Sequence, residues 1–507
     1  MGQIRKLAGQ TAIYGISSIL GKTINFLLLP IYTAYLDKEA LGSFTALYAI
    51  IAFLNILFTY GMETTYFRYA TGKGLDPQRV YANIQSLLIT TSLSLGALLY
   101  FSAPALAKAL EYEGQEHLFK WLAWIIAIDA VMAIPYAKLR AEGKSLQFAL
   151  AKLGNILLNV GLNIFFIVLC FHIWNGDIFP AFSEAIGYIY RPDWGVDYIL
   201  LSNLLANAAL IPILFKLAGK FRFHLDKTLL APMWHYALPL LFMGLAGVTN
   251  EVFSRGLFEY LLPENFYPGL TAREAGGVFG ANYRLAIFMN LIIQAFKYAA
   301  EPFFFNQSKE KNSPELFAKV MHAFIIFCCT LMVAVSVNLD LLSRFFLRGE
   351  GYEQALDIVP ILLLGYLFLG IYFNLSIWFK LTDQTTYSFY ITLVGAAVTV
   401  FVLILAVPTL GFLGAALSTL AAYLVMTIIC YAYGQRHYPI PYQTGKAMAY
   451  LVIAFSLSYI GFYFYNEFPI IQFIGRNSLV FVFILVVLLF EKGQIAQYLT
   501  QRKSAKQ

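Results

Sequence analysis

The chain has 507 residues, of which 60% are hydrophobic and only 12% are charged, with a mean hydropathy of +0.68. Soluble domains carry about 25% charged residues, so this composition excludes an ordinary water-soluble enzyme and points to a surface that faces lipid. A net charge of +7 would suggest nucleic acid in a soluble protein. In a membrane protein it reads as loops facing an anionic leaflet, and no nucleic-acid partner is expected.

A hydrocarbon core of about 30 Å takes roughly 20 apolar residues per helix, and the apolar runs between polar breaks predict fourteen such helices. In chain order they cover 12–36, 41–66, 80–101, 118–137, 148–171, 197–217 and 235–258. The remainder cover 275–299, 316–339, 358–379, 386–407, 411–433, 447–466 and 470–490. The first is too long for a signal-peptide core and is expected to be retained. Cys170, Cys328, Cys329 and Cys430 all fall inside these runs, without a CxxC or a metal-type spacing. No disulfide framework, metal or other cofactor is therefore expected.

Lys and Arg test this parse independently of hydropathy. With the N-terminus inside, and with Lys120, Lys152, Lys216, Lys297, Lys319 and Arg476 counted with the segments adjoining their helix ends, 24 of the 35 fall inside, 8 outside and 3 within spans. That bias predicts an even number of spans with both termini cytoplasmic, in a bacterial inner membrane. The longest outside loop, 172–196, carries Trp174, Phe179, Tyr188, Tyr190 and Trp194 and reads as an interfacial aromatic belt.

The three cations within spans are Lys22, Arg255 and Arg284. Each costs roughly 2.5–3.5 kcal/mol near the bilayer centre, so they predict an interior that receives an anion. Lys22 has no acid within a helical turn, whereas Glu251 and Glu259 flank Arg255 at four residues, which leaves local ion pairing open there. Asp129 and Glu63 are the ion-coupling candidates, as intramembrane carboxylates that can hold a proton or sodium ion. Packing or a salt bridge is the plainer role for Asp129, and pairing with Arg68 for Glu63. Asn155, Asn159 and Asn163 recur every four residues on the fifth helix, and Asn203 and Asn207 do so on the sixth. Each set shares one helix face, suited either to helix–helix hydrogen bonds or to sugar hydroxyls in a hydrated cavity. Asn282, Asn290 and Gln294 suggest a matching face on the eighth helix.

Residues 39–48 and 274–283 agree at six of ten positions, 235 residues apart. They open the second and eighth helices, which implies a repeat of six helices, both copies in the same orientation. The expected division is 1–220 for helices 1–6, 221–435 for helices 7–12, and 436–507 for two extra helices and a cytoplasmic tail. Lys22 and Arg255 then fall at equivalent positions of the two lobes.

Several local patterns extend along the chain in order. They include Leu29-Pro30-Ile31-Tyr32, Tyr60-Gly61-Met62-Glu63, Leu139-Arg140-Ala141-Glu142-Gly143, Tyr236-Ala237-Leu238-Pro239, Ala300-Glu301-Pro302-Phe303 and Gly411-Phe412-Leu413-Gly414. In these the chain resembles the multidrug/oligosaccharidyl-lipid/polysaccharide (MOP) exporter superfamily, and within it the polysaccharide transporter branch of O-antigen and repeat-unit flippases. The resemblance runs over about residues 5 to 490. It departs from the pattern at Ser254-Arg255, where many relatives carry Asp-Arg, so a coupling role for that acid does not transfer. The resemblance implies an all-α, two-lobed MATE-like membrane protein that alternates access, without enzyme activity. It implies an undecaprenyl-diphosphate-linked oligosaccharide as cargo; an anionic diphosphate suits cations at mid-depth, so Lys22, Arg255 and Arg284 are expected to bind it, with the asparagine faces of the fifth and sixth helices near the glycan. It also implies a monomer in contact with membrane lipids and with glycan-assembly enzymes as candidate partners. Competing readings are a lipid II flippase, a MATE-type multidrug or cation antiporter and, in a different class, a membrane-embedded polysaccharide enzyme. No DxD pair occurs and the six histidines are scattered, which disfavours the last.

Overall fold

The computed structural model describes residues 20–21, 24, 26–72, 75–307, 312–382, 384, 386–464 and 467–504. Helices account for nearly all of it. Those named below begin with α1 (Leu29–Tyr35), α2 (Lys38–Thr59, followed by the shorter helix Met62–Gly72), α3 (Pro77–Ala109), α4 (Glu116–Ala141), α5 (Ser145–Asn163), α6 (Val196–Ala218) and α7 (Lys227–Gly256). Then α8 is a bent pair, Ala272–Leu285 and Ile287–Gln307, whose halves meet at 43°. They are followed by α9 (Ser313–Val337), α10 (Val359–Leu375), α11 (Thr386–Leu410), α12 (Phe412–His437), α13 (Thr444–Tyr463) and α14 (Pro469–Ser504).

Among the described residues, twelve helices are long and apolar enough to cross a membrane, or 13 when the bent pair counts as one span. These coincide with the second to fourteenth predicted runs. In the first run, residues 12–19, 22–23 and 25 lie outside the described residues, and Lys22 is one of them.

Local chemistry sets the helix starts. Asp37 accepts from the Ala40 amide at 2.7 Å ahead of α2. Asp76 caps α3, whose first position is Pro77. Thr271 and Glu274 close a reciprocal capping box at the start of α8. Each cap satisfies amides that the first helical turn leaves without partners.

Packing separates two groups of helices. In the first, α4 packs on α2, α3 and α6, and α6 on α5; in the second, α12 packs on α10 and α11, and α7 on α11. The groups meet where α2 lies against α7 and the first half of α8, and α13 and α14 dock on α9. Much of α14 is bare, with Ile470, Phe473, Phe481, Leu485 and Leu489 exposed, as a lipid-facing helix requires.

The two copies of the repeated segment lie against each other. A Cβ on Gly42 would strike the Arg273 carbonyl, and one on Gly277 would strike the Lys38 carbonyl and sit 2.9 Å from the Gly42 nitrogen. Glycine here permits backbone-to-backbone approach of α2 and α8, the use small residues serve between membrane helices. This contact sits at the end of the bundle that the Lys/Arg bias would place outside.

The 172–196 loop divides its aromatics. Tyr188, Phe179 and Phe182 are exposed, but Tyr190 is buried and stacked on Tyr198, and Trp194 packs edge-on to Trp121. Only the exposed part of the loop is free to act as a belt; the rest packs on the helix ends beneath it.

Candidate functional site

A cavity of about 310 Å³ lies between the two groups of helices. Arg255 from α7 and Arg284 from α8 both line it, with Glu251, and with amides from Asn159, Asn203, Asn290 and Gln294. Tyr32, Phe44, Tyr48 and Tyr366 supply its aromatic walls.

The arginines are held by rings and backbone rather than by carboxylates. The Arg284 guanidinium lies 4.2 Å over the Phe44 ring and 6.0 Å over that of Tyr32. Arg255 lies 4.6 Å over Tyr283 and donates to the Glu251 carbonyl at 3.2 Å. Neither forms an ion pair among the described residues. The flanking acids anticipated as partners of Arg255 behave differently. Glu259 pairs with Arg273 at 3.6 Å, while Glu251 lines the same cavity as Arg255 without an ion pair to it. The short helix Phe258–Leu261 follows α7 after a break at Leu257, so Glu259 leaves the face that an unbroken helix would have given it. Two cations against one carboxylate leave the walls with an excess of positive charge.

The asparagines form a network, and only some reach the cavity. Asn155 donates to Asn207 Oδ1 at 3.0 Å, and Asn207 Nδ2 lies 2.7 Å from Asp129 and 2.9 Å from Asn203 Oδ1. Asn203 in turn donates to the Tyr48 hydroxyl at 2.9 Å. The second branch runs from Tyr32, whose hydroxyl donates to Asn163 Oδ1 at 2.9 Å, to Asn159, which accepts from Asn163 at 2.8 Å. Asn159 and Asn203 therefore line the cavity, whereas Asn155, Asn163 and Asn207 support it from behind. Straight after Asn163 the fifth span widens into a π-helix, Ile164–Leu169, a local irregularity often found at functional sites.

Removing the junction of this network is expected to cost stability. Asn207→Ala deprives Asp129 of its amide donor, and an orphaned buried polar group costs about 1–3 kcal/mol. The unfolding midpoint in detergent should fall, and an unchanged midpoint would show that Asp129 finds water instead.

Two other expectations change. Glu63 pairs with Arg140 on α4, not with Arg68. Five residues along a helix is about 500°, which puts Arg68 some 140° around the axis from Glu63. Arg68 instead lies 4.3 Å over the Tyr236 ring. Asn282 turns away from the cavity and donates to the Tyr352 carbonyl at 2.7 Å, while Asn290 and Gln294, past the bend in α8, do line it. The aromatic walls were missed, although Tyr32 lies in the Leu29-Pro30-Ile31-Tyr32 pattern and Tyr48 closes the repeated segment.

No family model and no curated protein matches the chain. Solved structures do. A lipid II flippase, MurJ, in an inward closed conformation superimposes with a TM-score of 0.68 at 15% identity, covering 96% of this chain and 100% of that one. A multidrug resistance MATE family transporter of the MOP superfamily, inward-facing, gives 0.58 at 16% identity over 85% and 95%. The Vibrio cholerae MATE transporter VcmN in its bent form gives 0.54 at 14% over 89% and 100%. The chain has the fold of these structures. At such identities the likeness speaks for the fold alone, and the cargo must be argued from the cavity.

Proposed function

We propose that the protein is a flippase that moves an anionic, undecaprenyl-diphosphate-linked oligosaccharide across a bacterial inner membrane by alternating access. The observation that carries this reading is the pair Arg255 and Arg284, without ion-pair partners among the described residues, in a cavity between two helix groups. A diphosphate needs such cations at membrane depth, and forked guanidinium groups suit its oxygens. Asn159, Asn203, Asn290 and Gln294 offer amide donors and acceptors to sugar hydroxyls. Lys22, from the first span, is the third proposed cation. The lipid tail stays in the bilayer while the headgroup passes between the lobes.

The membrane potential favours this direction. Moving one charge is worth about 2.3 kcal/mol per 100 mV, so an inside-negative cell expels an anionic headgroup. Asp129, hydrogen-bonded to Asn207 at 2.7 Å, remains the proposed coupling carboxylate; Glu63, engaged by Arg140, is the weaker candidate.

Depleting the protein and extracting the lipid-linked intermediates tests the cargo. Accumulation of a diphosphate-linked repeat unit is the expected result. Accumulation of lipid II would replace this reading by that of a peptidoglycan-precursor flippase. Unchanged lipid pools with hypersensitivity to cationic drugs would replace it by a MATE-type exporter.

A further inference from the structure

Beside the α2–α8 contact, a second cavity of about 510 Å³ is lined by Glu39, Glu111, Glu259, Glu264, Arg273 and Glu274. Its centre is Glu259, in the short helix past the end of α7, with a side chain only 6% exposed. Neither oxygen of its carboxylate has a hydrogen-bond partner, and the same is true of Arg273 Nε and the Tyr112 hydroxyl. Arg273 Nε stands 3.6 Å from Glu259, within ion-pair range but too long for a hydrogen bond. Three buried polar atoms of residues lining this cavity, the two Glu259 oxygens and Arg273 Nε, are thus left unmatched, which is rare in a finished interior.

Arg273 ties the two helix groups together. From α8 it donates to the Glu111 carbonyl at 2.9 Å, lies 4.1 Å over the Tyr112 ring and stands 3.8 Å from Glu39. Its side chain is 17% exposed, and Glu39 is a weak counter-charge because 61% of its own side chain is exposed. Glu259 is the buried one. The Tyr260 hydroxyl adds a second link, to the Leu110 carbonyl at 3.4 Å.

We propose that Glu259 is a proton-binding site reached from this end of the protein, and that protonating it releases Arg273 and opens that end. The inference rests on the alternating-access reading but on no particular cargo. A proton from water at this end is transferred to a Glu259 carboxylate oxygen and cancels its charge. Arg273 is then a buried cation without a buried counter-charge. Breaking such a pair from one side is costly, and the cost is relieved when the guanidinium moves into water. Movement of Arg273 gives up its contacts with Glu111, Tyr112 and Glu39, which are among the contacts that join the groups at this end.

Burial pushes the Glu259 carboxyl above the ordinary carboxylate range, against the opposing pull of Arg273. The charged and titratable groups facing it are Glu39 from α2, Glu111 and Tyr112 from the α3–α4 connection, Tyr260 and Glu264 from its own segment, and Arg273 and Glu274 from α8. The last turns of α11, which pack on this short helix, carry no titratable residue. Glu39, Glu111 and Glu264 are solvent-exposed, and Glu274 accepts from the Thr271 amide at 2.8 Å. A raised carboxyl pKa means that the neutral form, and hence the open end, gains as external pH falls.

The test reads access to the central cavity with a membrane-impermeant maleimide added outside. Leu291→Cys reports on the cavity wall, and Tyr188→Cys, at a residue 94% exposed, corrects for the reagent's own pH dependence. The corrected rate should rise about tenfold between external pH 8 and 5.5. Glu259→Gln and Arg273→Ala should label fast at both pH values, and Glu259→Asp should keep the response. A wild-type background with no pH response overturns the proposal, and so does a response that survives Glu259→Gln or an Arg273→Ala variant that stays slow. Because no substrate enters the assay, a failed clasp leaves the cargo reading standing, and a failed cargo reading leaves the labelling result intact.

Discussion

Arg284→Ala is expected to slow transport of a diphosphate-linked oligosaccharide in proteoliposomes by about 30- to 150-fold. A hydrogen bond to a charged group is worth about 2–3 kcal/mol, and each 1.4 kcal/mol is a factor of ten. The loss should appear in transport and not in folding. Arg284 forms no ion pair among the described residues; its contacts are the Phe44 and Tyr32 rings. Losing that stacking, about 0.5–2 kcal/mol, is offset by no longer burying a charge. Arg284→Lys should recover part of the rate, since charge returns without the guanidinium fork. Arg255→Ala should also fall, with Glu251 left unbalanced in the cavity. If both alanine variants transported at the wild-type rate, the anionic-cargo reading would be lost and the cationic-drug reading would take its place.

Gly277→Leu is expected to have the largest effect on conformation. Its Cβ would meet backbone on α2, so no side-chain rotation can make room and the two helices must part. Overpacking costs about 1–3 kcal/mol, and about 2 kcal/mol against the sealed state changes its ratio to the open state by roughly 30-fold. The Leu291→Cys reporter should then be reached from outside at any pH, and transport should fall by at least an order of magnitude because one half of the cycle is disfavoured. A variant that labels as slowly as the parent would show that the α2–α8 contact is not what closes this end.

The helices were legible in the sequence because membrane solvent permits few alternatives. In a hydrocarbon core every backbone amide and carbonyl must be satisfied within the segment, so length and hydropathy alone locate a span. Thirteen of the fourteen runs recur as candidate spans among the described residues, with the largest shifts of eight residues at the end of the third and the start of the seventh. The caps at Asp37, Asp76 and Thr271 explain where three of them begin. Two features of the helices were not legible. The bend between Leu285 and Ile287 has no proline at the break, and the π-helix after Asn163 has an ordinary apolar sequence, Ile-Phe-Phe-Ile-Val-Leu. Both depend on neighbours that hydropathy does not see.

The site was legible in its cations and only partly in its amides. Arg255 and Arg284 stand out because a charge within an apolar run is costly enough to require a reason. Asparagine carries no such signal, since an amide can equally serve another amide. Helical spacing put Asn155, Asn159 and Asn163 on one face, but only Asn159 lines the cavity, and Asn207 spends its amide on Asp129 and Asn203. Glu63 shows the same limit for carboxylates: Arg140, its partner, is 77 residues away, so no local spacing could indicate it.

By itself the sequence determined that the chain is an all-helical membrane protein, where its spans lie, that it contains a repeated segment, and which cations are out of place in lipid. These follow from transfer free energies and periodicity, which are properties of residues and their near neighbours. Only the tertiary structure decided that Arg255 and Arg284 share one cavity, that Glu259 serves Arg273 rather than Arg255, and that the two copies of the repeat meet glycine to backbone. Those depend on which distant segments come within a few ångströms of each other, and a Coulomb or hydrogen-bond energy exists only once that distance is set.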